Sequence, residues 1–560
     1  MASIILAQGD REVGLNFSTR SEVIAQNGMV ATSQPLATQV GLSILKQGGN
    51  AIDAAIAANA ATGLMEPTGN GIGGDLFALV WDAKTKQVYA LNASGRSPKN
   101  LSYKQLLKKL KALNTDGIPP YDLLSVSVPG TVDGWFELHQ RFGQLPMNEI
   151  LSPTIDYAVD GFPVSEAIAS AWSRSVPFLK NQKGAFEETF TIHGKGPEKG
   201  DVFKNPDLGS TLQKIAENGR DAFYTGDIAK EIDQWMKANG GYLRYEDLAS
   251  HTSEWVEPIS TNYRGYEVYQ VGGNAQGTAV LQMLNILENY NLKEMGFGTE
   301  ATLHAFIETK KLVYEDRAKH YADPDYQNIP YSVLLSKDYA KKRKEHITNQ
   351  AMNDVTTGVD VLEDGDTIFL TTADAEGNMV ALIQSNFRGM GTGFVVPGTG
   401  FSFQNRGELF STDPNHPNVY APGKRPFHTI IPGMVVKDGQ PYFSYGNMGG
   451  AYQPIGHVSI LTNIIDFGMN IQEAGDAPRW DHSGSSKPTA SSKSSLKSKG
   501  KVYVESNIPY ETVRGLRKKG HHVEVGNSFF GRYQGIMWDA EKKVFYGASE
   551  SRVDGQAAGF

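Results

Sequence analysis

The chain reads as a mixed α and β protein, mainly helical in its first two-thirds and rich in strands in its last third. Three observations predict this. Apolar residues recur near a 3.6-residue period at Leu36, Val40, Ile44 and Leu45 and again along His304 to His320, as amphipathic helices require. From about residue 365 the period shortens to two, in short runs punctuated by glycine. An apolar fraction of 40% against 20% charged residues is ample for a buried core and excludes disorder for most of the chain.

The elements follow in order. The first helix runs from Pro35 to Lys46, and Gly48-Gly49-Asn50 stops it. Ala51 to Gly63 forms a second, so rich in alanine that another element must pack closely against it. The glycine-rich stretch Gly69 to Asp75 leads into strands at Leu76–Trp81 and Gln87–Leu91. Residues 100–345 are mostly helical, with His304–His320 the clearest amphipathic case. Strands are then expected at Thr367–Thr372, Met379–Gln384, Phe394–Val396, Met434–Lys437 and Tyr442–Tyr445. The serine- and lysine-rich segment 483–499 reads as a flexible surface loop. There are no internal repeats. At roughly one domain per 150 residues, the length of 560 would divide into three or four units.

Composition removes whole classes of function. Lysine plus arginine number 53 and aspartate plus glutamate 61, a net charge of −8, which leaves no bulk positive charge for nucleic acid. There is no cysteine, so disulfides, thiolate metal sites, iron–sulfur clusters and cysteine nucleophiles are excluded. No apolar run approaches the roughly 20 residues of a membrane span. Residues 1–8 have an apolar core without a basic flank. They read either as an ordinary terminus or as the tail of a secretion signal, with a periplasmic or secreted location slightly favoured over a cytoplasmic one.

The motifs narrow the field further. Gly69-Asn-Gly-Ile-Gly-Gly74 spells a dinucleotide fingerprint, but a helix precedes it and a strand follows, the reverse of what pyrophosphate binding needs. A tight turn with close backbone approach is the better reading. His521-His522 has no helix-spaced carboxylate, and His304 with Glu308 resembles a surface contact, so no metal and no cofactor are expected. No Gly-x-Ser-x-Gly elbow is present. What remains is Asp364-Gly-Asp-Thr367, immediately before the strand Ile368–Thr372, with the turn Glu376-Gly-Asn378 leading into Met379–Ser385.

At this point the chain resembles the γ-glutamyltransferase family of N-terminal nucleophile hydrolases, nearly end to end from Gly28 to Phe560. The segments that carry the resemblance are Gly28–Ala37, Gln47–Ala55, Glu66–Asp75, Ser127–Gly130, Gly219–Gly226, Asp366-Thr367, Gly446–Gly450 and Gly547–Asp554. The resemblance implies an α+β fold, a four-layer αββα sandwich. It also implies self-cleavage between Asp366 and Thr367. Residues 1–27 would be an extension, 28–366 a large subunit and 367–560 a small one, so that a single domain becomes two chains. Cleavage would free the α-amine of Thr367, whose reference pKa of about 7.7–8.0 supplies a general base one bond from the hydroxyl nucleophile. By resemblance, the backbone N–H groups of Gly449 and Gly450 would receive the oxyanion. Ser385 matches a family threonine that bonds the new amine.

The implied acyl pocket departs from that of the transpeptidases. Their aspartate position falls on Leu409, their asparagine on Phe387, their serine pair on His428-Thr429 and their glutamine on Arg406; their arginine is displaced to Arg96. Asn386 and Glu408 are one residue from the lost positions, although strand alternation turns neighbours to opposite faces. The connection from Ser411 to Pro426 is short, which implies no lid. This set resembles the branch that includes cephalosporin acylases and oxamate amidohydrolases. Arg96, Asn386, Arg406, His428 and Thr429 are the expected substrate contacts, and Arg96 and Arg406 suit bidentate binding of a carboxylate. A structural salt bridge is the plainer role for either arginine.

The expected activity is hydrolysis or transfer of the γ-glutamyl group of glutathione and related amides through an acyl-enzyme on Thr367. The alternative is an acylase or amidohydrolase for glutaryl- or oxamate-like amides without the α-amino group. A non-catalytic binding homologue is a third reading. The implied partners are a small amide substrate, water or an amine acceptor, and the two subunits of one precursor; a dimer of such heterodimers is left open. A denaturing gel should show chains of 366 and 560 − 366 = 194 residues, and Thr367→Ala should leave one intact band without activity.

Overall fold

The computed structural model describes residues 19–352, 355–357, 366–485, 488–489, 496–526 and 528–560. Residues 1–8, Asp364, Gly365 and 486–487 and 490–495 of the expected 483–499 loop lie outside these; the ends of that segment are not loop, since Ser483 closes the strand Trp480–Ser483 and Leu496–Ser498 pairs with Val355–Thr357. Two seven-stranded antiparallel sheets form the centre. The first runs in the order Val23–Ala25, Val544–Ser549, Tyr533–Asp539, Gln440–Asn447, Gly433–Lys437, Tyr266–Gln270, Ile259–Tyr263. The second runs Gln556–Gly559, Gly28–Thr32, Asp366–Asp374, Met379–Phe387, Asp75–Asp82, Gln87–Ala93, Glu254–Val256.

Alternation along the central strand shows how the layers stack. Phe369 and Ala373 join Phe443, Tyr445 and Ile536 of the facing sheet in one core, and Thr371 Oγ1 lies 2.6 Å from Ser444 Oγ between the sheets. Ile368 and Leu370 point the other way, into a core shared with the helix Ala51–Met65. Both sheet faces are therefore covered, and the apolar runs at these strands serve two cores. Helices Pro35–Lys46, Ala51–Met65, Thr131–Phe142 and Met147–Asp160 cover one side; Gly277–Leu287, Glu300–His320 and Gln453–Ile465 cover the other. This is the expected αββα sandwich. Each sheet holds strands from both sides of the Asp366–Thr367 bond, so a cut there would not divide the layers.

The alanine-rich helix packs as its composition demands. All of Ala51–Met65 but Gly63 is buried, and a Cβ on Gly41 of the preceding helix would sit 3.2 Å from Ala54 O and 3.3 Å from Ala58 Cβ. Asn50 and Asp53 close a capping box at its start.

Three expectations need correction. Phe394–Val396 is not a strand; Val395 makes only isolated bridges to Gly184 and Ser402, because Gly391, Gly393, Gly398 and Gly400 all hold positive φ and fold the segment into turns. The helical middle also hides three strands between Glu254 and Gln270. The helix at 300–320 is buried on nearly every side, its charged residues Glu308, Lys310, Lys311, Asp316 and Arg317 included, instead of presenting them to solvent. Among the described residues, no helix is long and apolar enough to cross a membrane. Ala58→Leu should overpack the contact with Gly41, cost about 1–3 kcal/mol and lower the melting temperature in calorimetry; a variant melting with the wild type would mean that the two helices can separate.

Candidate active site

Thr367 is the second residue of the strand Asp366–Asp374 and is 1% exposed. The ladder with Met379–Phe387 is regular up to Ile368 opposite Gln384, and then slips, so that Asp366 faces Phe387. Phe387 takes φ +78°, unusual for a bulky residue and the kind of local strain that accompanies functional sites. The Asp366–Thr367 peptide sits at this irregularity. Ser385 Oγ donates to Asp366 O at 2.8 Å and accepts the Phe387 N–H at 2.8 Å. Thr367 Oγ1 donates to Ser385 Oγ at 3.4 Å. The hydroxyl thus reaches, through one serine, the carbonyl on the other side of its own peptide bond. That arrangement polarises the carbonyl and offers an acceptor for the hydroxyl proton.

The glycine turn before Asp75 packs on this bond. A Cβ on Gly69 would lie 3.3 Å from both Thr367 N and Thr367 C, and one on Gly74 would lie 2.5 Å from Ser385 O. Only glycine lets the backbone approach so closely, and the turn supplies no phosphate loop. Behind it, Ser33 Oγ donates to buried Glu66 at 2.5 Å, and burial pushes that carboxyl up to about 7. Arg532 bridges Glu66 and Asp366 at 3.7 and 3.8 Å.

Gly449 and Gly450 follow the strand Gln440–Asn447 with φ +118° and +54°, just ahead of the helix Gln453–Ile465, whose N-terminal dipole favours an anion. The same arginine connects this turn to Asp366: Met448 N–H donates to Arg532 O at 2.8 Å. A cavity of about 220 Å³ opens beside the turn. Its wall includes Ala451, Thr429, Leu409, Lys310, Arg317 and Asp481.

The expected substrate contacts divide. Thr429 lines the cavity, and its Oγ1 accepts from Arg406 Nη1 at 2.8 Å. Arg406 lies behind it, with its guanidinium 4.4 Å from the Phe387 ring centroid; burial lowers its pKa to about 9. His428 is turned to Asp75, with Nε2 2.8 Å from Oδ2. Burial holds the imidazole well below its ordinary pKa, helped by Arg406, and raises Asp75 to about 7. Burial thus favours the neutral form of each partner, despite their salt-bridge geometry. Asp75 Oδ1 also accepts from Gln404 at 2.7 Å and from Gly95 N–H at 2.9 Å. Asn386, on the strand face opposite Ser385, borders a small gap with Ile72 and Phe401. Arg96 is absent from the wall; its Nη2 is 2.8 Å from Glu254 and 3.2 Å from Asp325. Glu408 is engaged by Arg388 at 2.6 and 2.7 Å.

Sequence reasoning missed Lys310, Tyr314 and Arg317, although a spacing of four and then three residues places them on one helix face. It also missed Asp481. The buried cluster His304, Glu308 and His521 has the donor types of a metal site. The imidazoles bond each other at 2.8 Å, however, and the Lys311 ammonium, 2.6 Å from Glu308, supplies the positive charge there.

A family model described as Gamma-glutamyltranspeptidase matches residues 37–560. The chain is 37% identical to the glutathione hydrolase-like YwrD proenzyme of Bacillus subtilis, over 96% of this chain and 99% of that protein. It is 33% identical to the glutathione hydrolase proenzyme of Escherichia coli, over 96% and 93% of the two chains. The crystal structure of a cephalosporin acylase from Bacillus halodurans superposes with a TM-score of 0.88 at 41% identity, covering 99% of both chains.

Folded Asp75 keeps its proton from the ordinary value of 3.8 up to about 7, where the unfolded chain has released it. Its contribution to stability therefore falls as pH rises through that window. The melting temperature of Asp75→Asn, relative to wild type, should rise from about pH 4 to about pH 7; an offset independent of pH would mean that folded Asp75 is ionised throughout.

Proposed function

This chain belongs to the gamma-glutamyltranspeptidase family, and from that premise we propose that it is a self-processing threonine amidohydrolase acting on γ-glutamyl amides such as glutathione. The observation that carries the reading is the hydroxyl chain from Thr367 through Ser385 to the carbonyl of Asp366. In maturation, Thr367 Oγ adds to the Asp366 carbonyl carbon and the peptide C–N bond breaks. The Thr367 nitrogen leaves as the amine, and water opens the resulting ester. Residues 28–366 and 367–560 are then two subunits of one folded unit. The "proenzyme" in the names of the two relatives supports this sequence of events.

In turnover, the free amine of Thr367 takes the hydroxyl proton, and Oγ attacks the substrate amide carbon. Gly449 and Gly450 N–H groups receive the oxyanion. The leaving amine departs with the proton, and water or an amine acceptor resolves the ester on Thr367. The cavity beside the turn would take the acyl side chain. Arg317 and Lys310 suit its carboxylate, and Asp481 gives an α-ammonium group the acid that Leu409 does not. Lys310 is itself anchored on His482 O at 2.5 Å and Ser485 Oγ at 2.9 Å.

A second reading has a specific support. Leu409 makes part of the wall apolar, and the structure with a TM-score of 0.88 is named a cephalosporin acylase. An acyl group without the α-amine, glutaryl- or oxamate-like, fits such a wall. Turnover of γ-glutamyl-anilide and glutaryl-anilide separates the two. A γ-glutamyl preference that Asp481→Asn reduces about tenfold in kcat/KM, the scale of one charged hydrogen bond, supports the first; a glutaryl preference unaffected by that change replaces it with the second.

A further inference from the structure

The carbonyl groups of the Gly449–Gly450 turn are held by Gln276 and Tyr314, which take no part in the chemistry above. Gln276, fully buried at the start of the helix Gly277–Leu287, donates from Nε2 to Thr429 O at 2.6 Å and to Gly450 O at 2.8 Å. Its Oε1 accepts from Arg317 Nη1 at 2.7 Å. A guanidinium can only donate and a carbonyl can only accept, so the orientation of this amide is determined by its partners. Tyr314 O–H donates to Ala451 O. The Arg317 guanidinium lies 3.7 Å from the centroid of the Tyr314 ring and 5.7 Å from that of Phe427, which places its buried charge between aromatic faces.

Two consecutive glycines at positive φ have many other conformations open to them, so bonds from outside the turn must select one. The turn's own bond, Tyr452 N–H to Gly449 O at 2.9 Å, holds one peptide plane. Gln276 and Tyr314 hold the next two. Gln276 also ties the turn to Thr429 in the cavity wall, so both sides of the acyl site are registered to one amide.

We propose that Gln276, Arg317 and Tyr314 form a clamp that positions the oxyanion turn for turnover of amide substrates, and that self-cleavage does not need it. The inference rests on the reading of Gly449 and Gly450 as oxyanion donors. Self-cleavage is separable because the Asp366 carbonyl has its own donor, Ser385 Oγ at 2.8 Å.

The test compares Gln276→Met, which keeps length and loses both donors, and Tyr314→Phe, which loses one hydroxyl and keeps the stacking ring, with the wild type on the same gel and anilide substrate. Both variants should self-cleave like the wild type. Displacing the turn by an ångström should lower kcat about 100-fold for Gln276→Met and about tenfold for Tyr314→Phe, with KM within about threefold for Tyr314→Phe, which leaves the Gln276–Arg317 bond in place. Gln276→Glu should be as slow as the methionine variant, since a carboxylate accepts from Arg317 yet donates nothing to the carbonyls. If Gln276→Met does not fold, Tyr314→Phe decides. A kcat within threefold of wild type in the folded variants would overturn the clamp, and so would loss of self-cleavage together with turnover, which would make these residues structural. A wild type that neither cleaves nor turns over removes the underlying reading, and the clamp with it.

Discussion

Burial of the hairpin Asp366–Asp374 and Met379–Phe387 on both faces is the constraint on which the rest of the structure depends. The hairpin lies in the middle of its sheet, flanked by Gly28–Thr32 and Asp75–Asp82. One face enters the core between the sheets and the other the core beneath the alanine-rich helix. A slip of one residue would exchange the two faces, so register is strongly specified. Where the ladder breaks, at Asp366 opposite Phe387, the backbone is released from that specification. The hydroxyl chain of Thr367 and Ser385 occupies this break. A rigid scaffold that ends at one irregular peptide can hold the strained backbone of Phe387 beside that hydroxyl chain without loosening the fold around it.

The second organising feature is charge inside the protein. Asp75, Arg317, Arg406 and Asp481 are all buried or nearly so, and burial opposes the charged form of each. Their compensation differs. Asp75 gathers an amide, a backbone N–H and an imidazole, and burial holds its carboxyl well above the ordinary carboxylate range. The two arginines rely partly on aromatic faces, Phe387 for Arg406 and Tyr314 for Arg317. Buried ionisable groups of this kind are costly as structural elements, and they cluster at functional sites. Here Arg317 and Asp481 line the cavity, and Arg406 bonds Thr429 of its wall.

Local signals marked much of the site. The change of period near residue 365, the Asp366-Thr367 pair and the unusual density of glycine at 69–74 and 446–450 stand out as written. A Cβ at Gly74 would collide with Ser385, and one at Gly69 would press on Thr367. Arg96 illustrates the opposite case. Its residue type suits a carboxylate, yet Glu254 and Asp325 claim it, and those partners lie more than a hundred residues away along the chain. Asn386 is decided by alternation, which turns it from the face that Ser385 occupies. Phe394–Val396 has strand-like composition, and the glycines around it prevent pairing.

By itself the sequence determined the layered α and β plan and marked the Asp366-Thr367 pair and the glycine turns around it, because each is written in residues adjacent along the chain. Only the tertiary structure decided which charges face the cavity. The helix at 300–320 shows the reason. Its lysines and arginine read as a solvated face, since a lone helix offers them only water. Packing between the Gly277–Leu287 helix and the last third of the chain buries them instead, and places Lys310, Tyr314 and Arg317 against Asp481, Gln276 and Ala451. Periodicity specifies that a face exists; what that face meets depends on contacts between segments far apart in the chain.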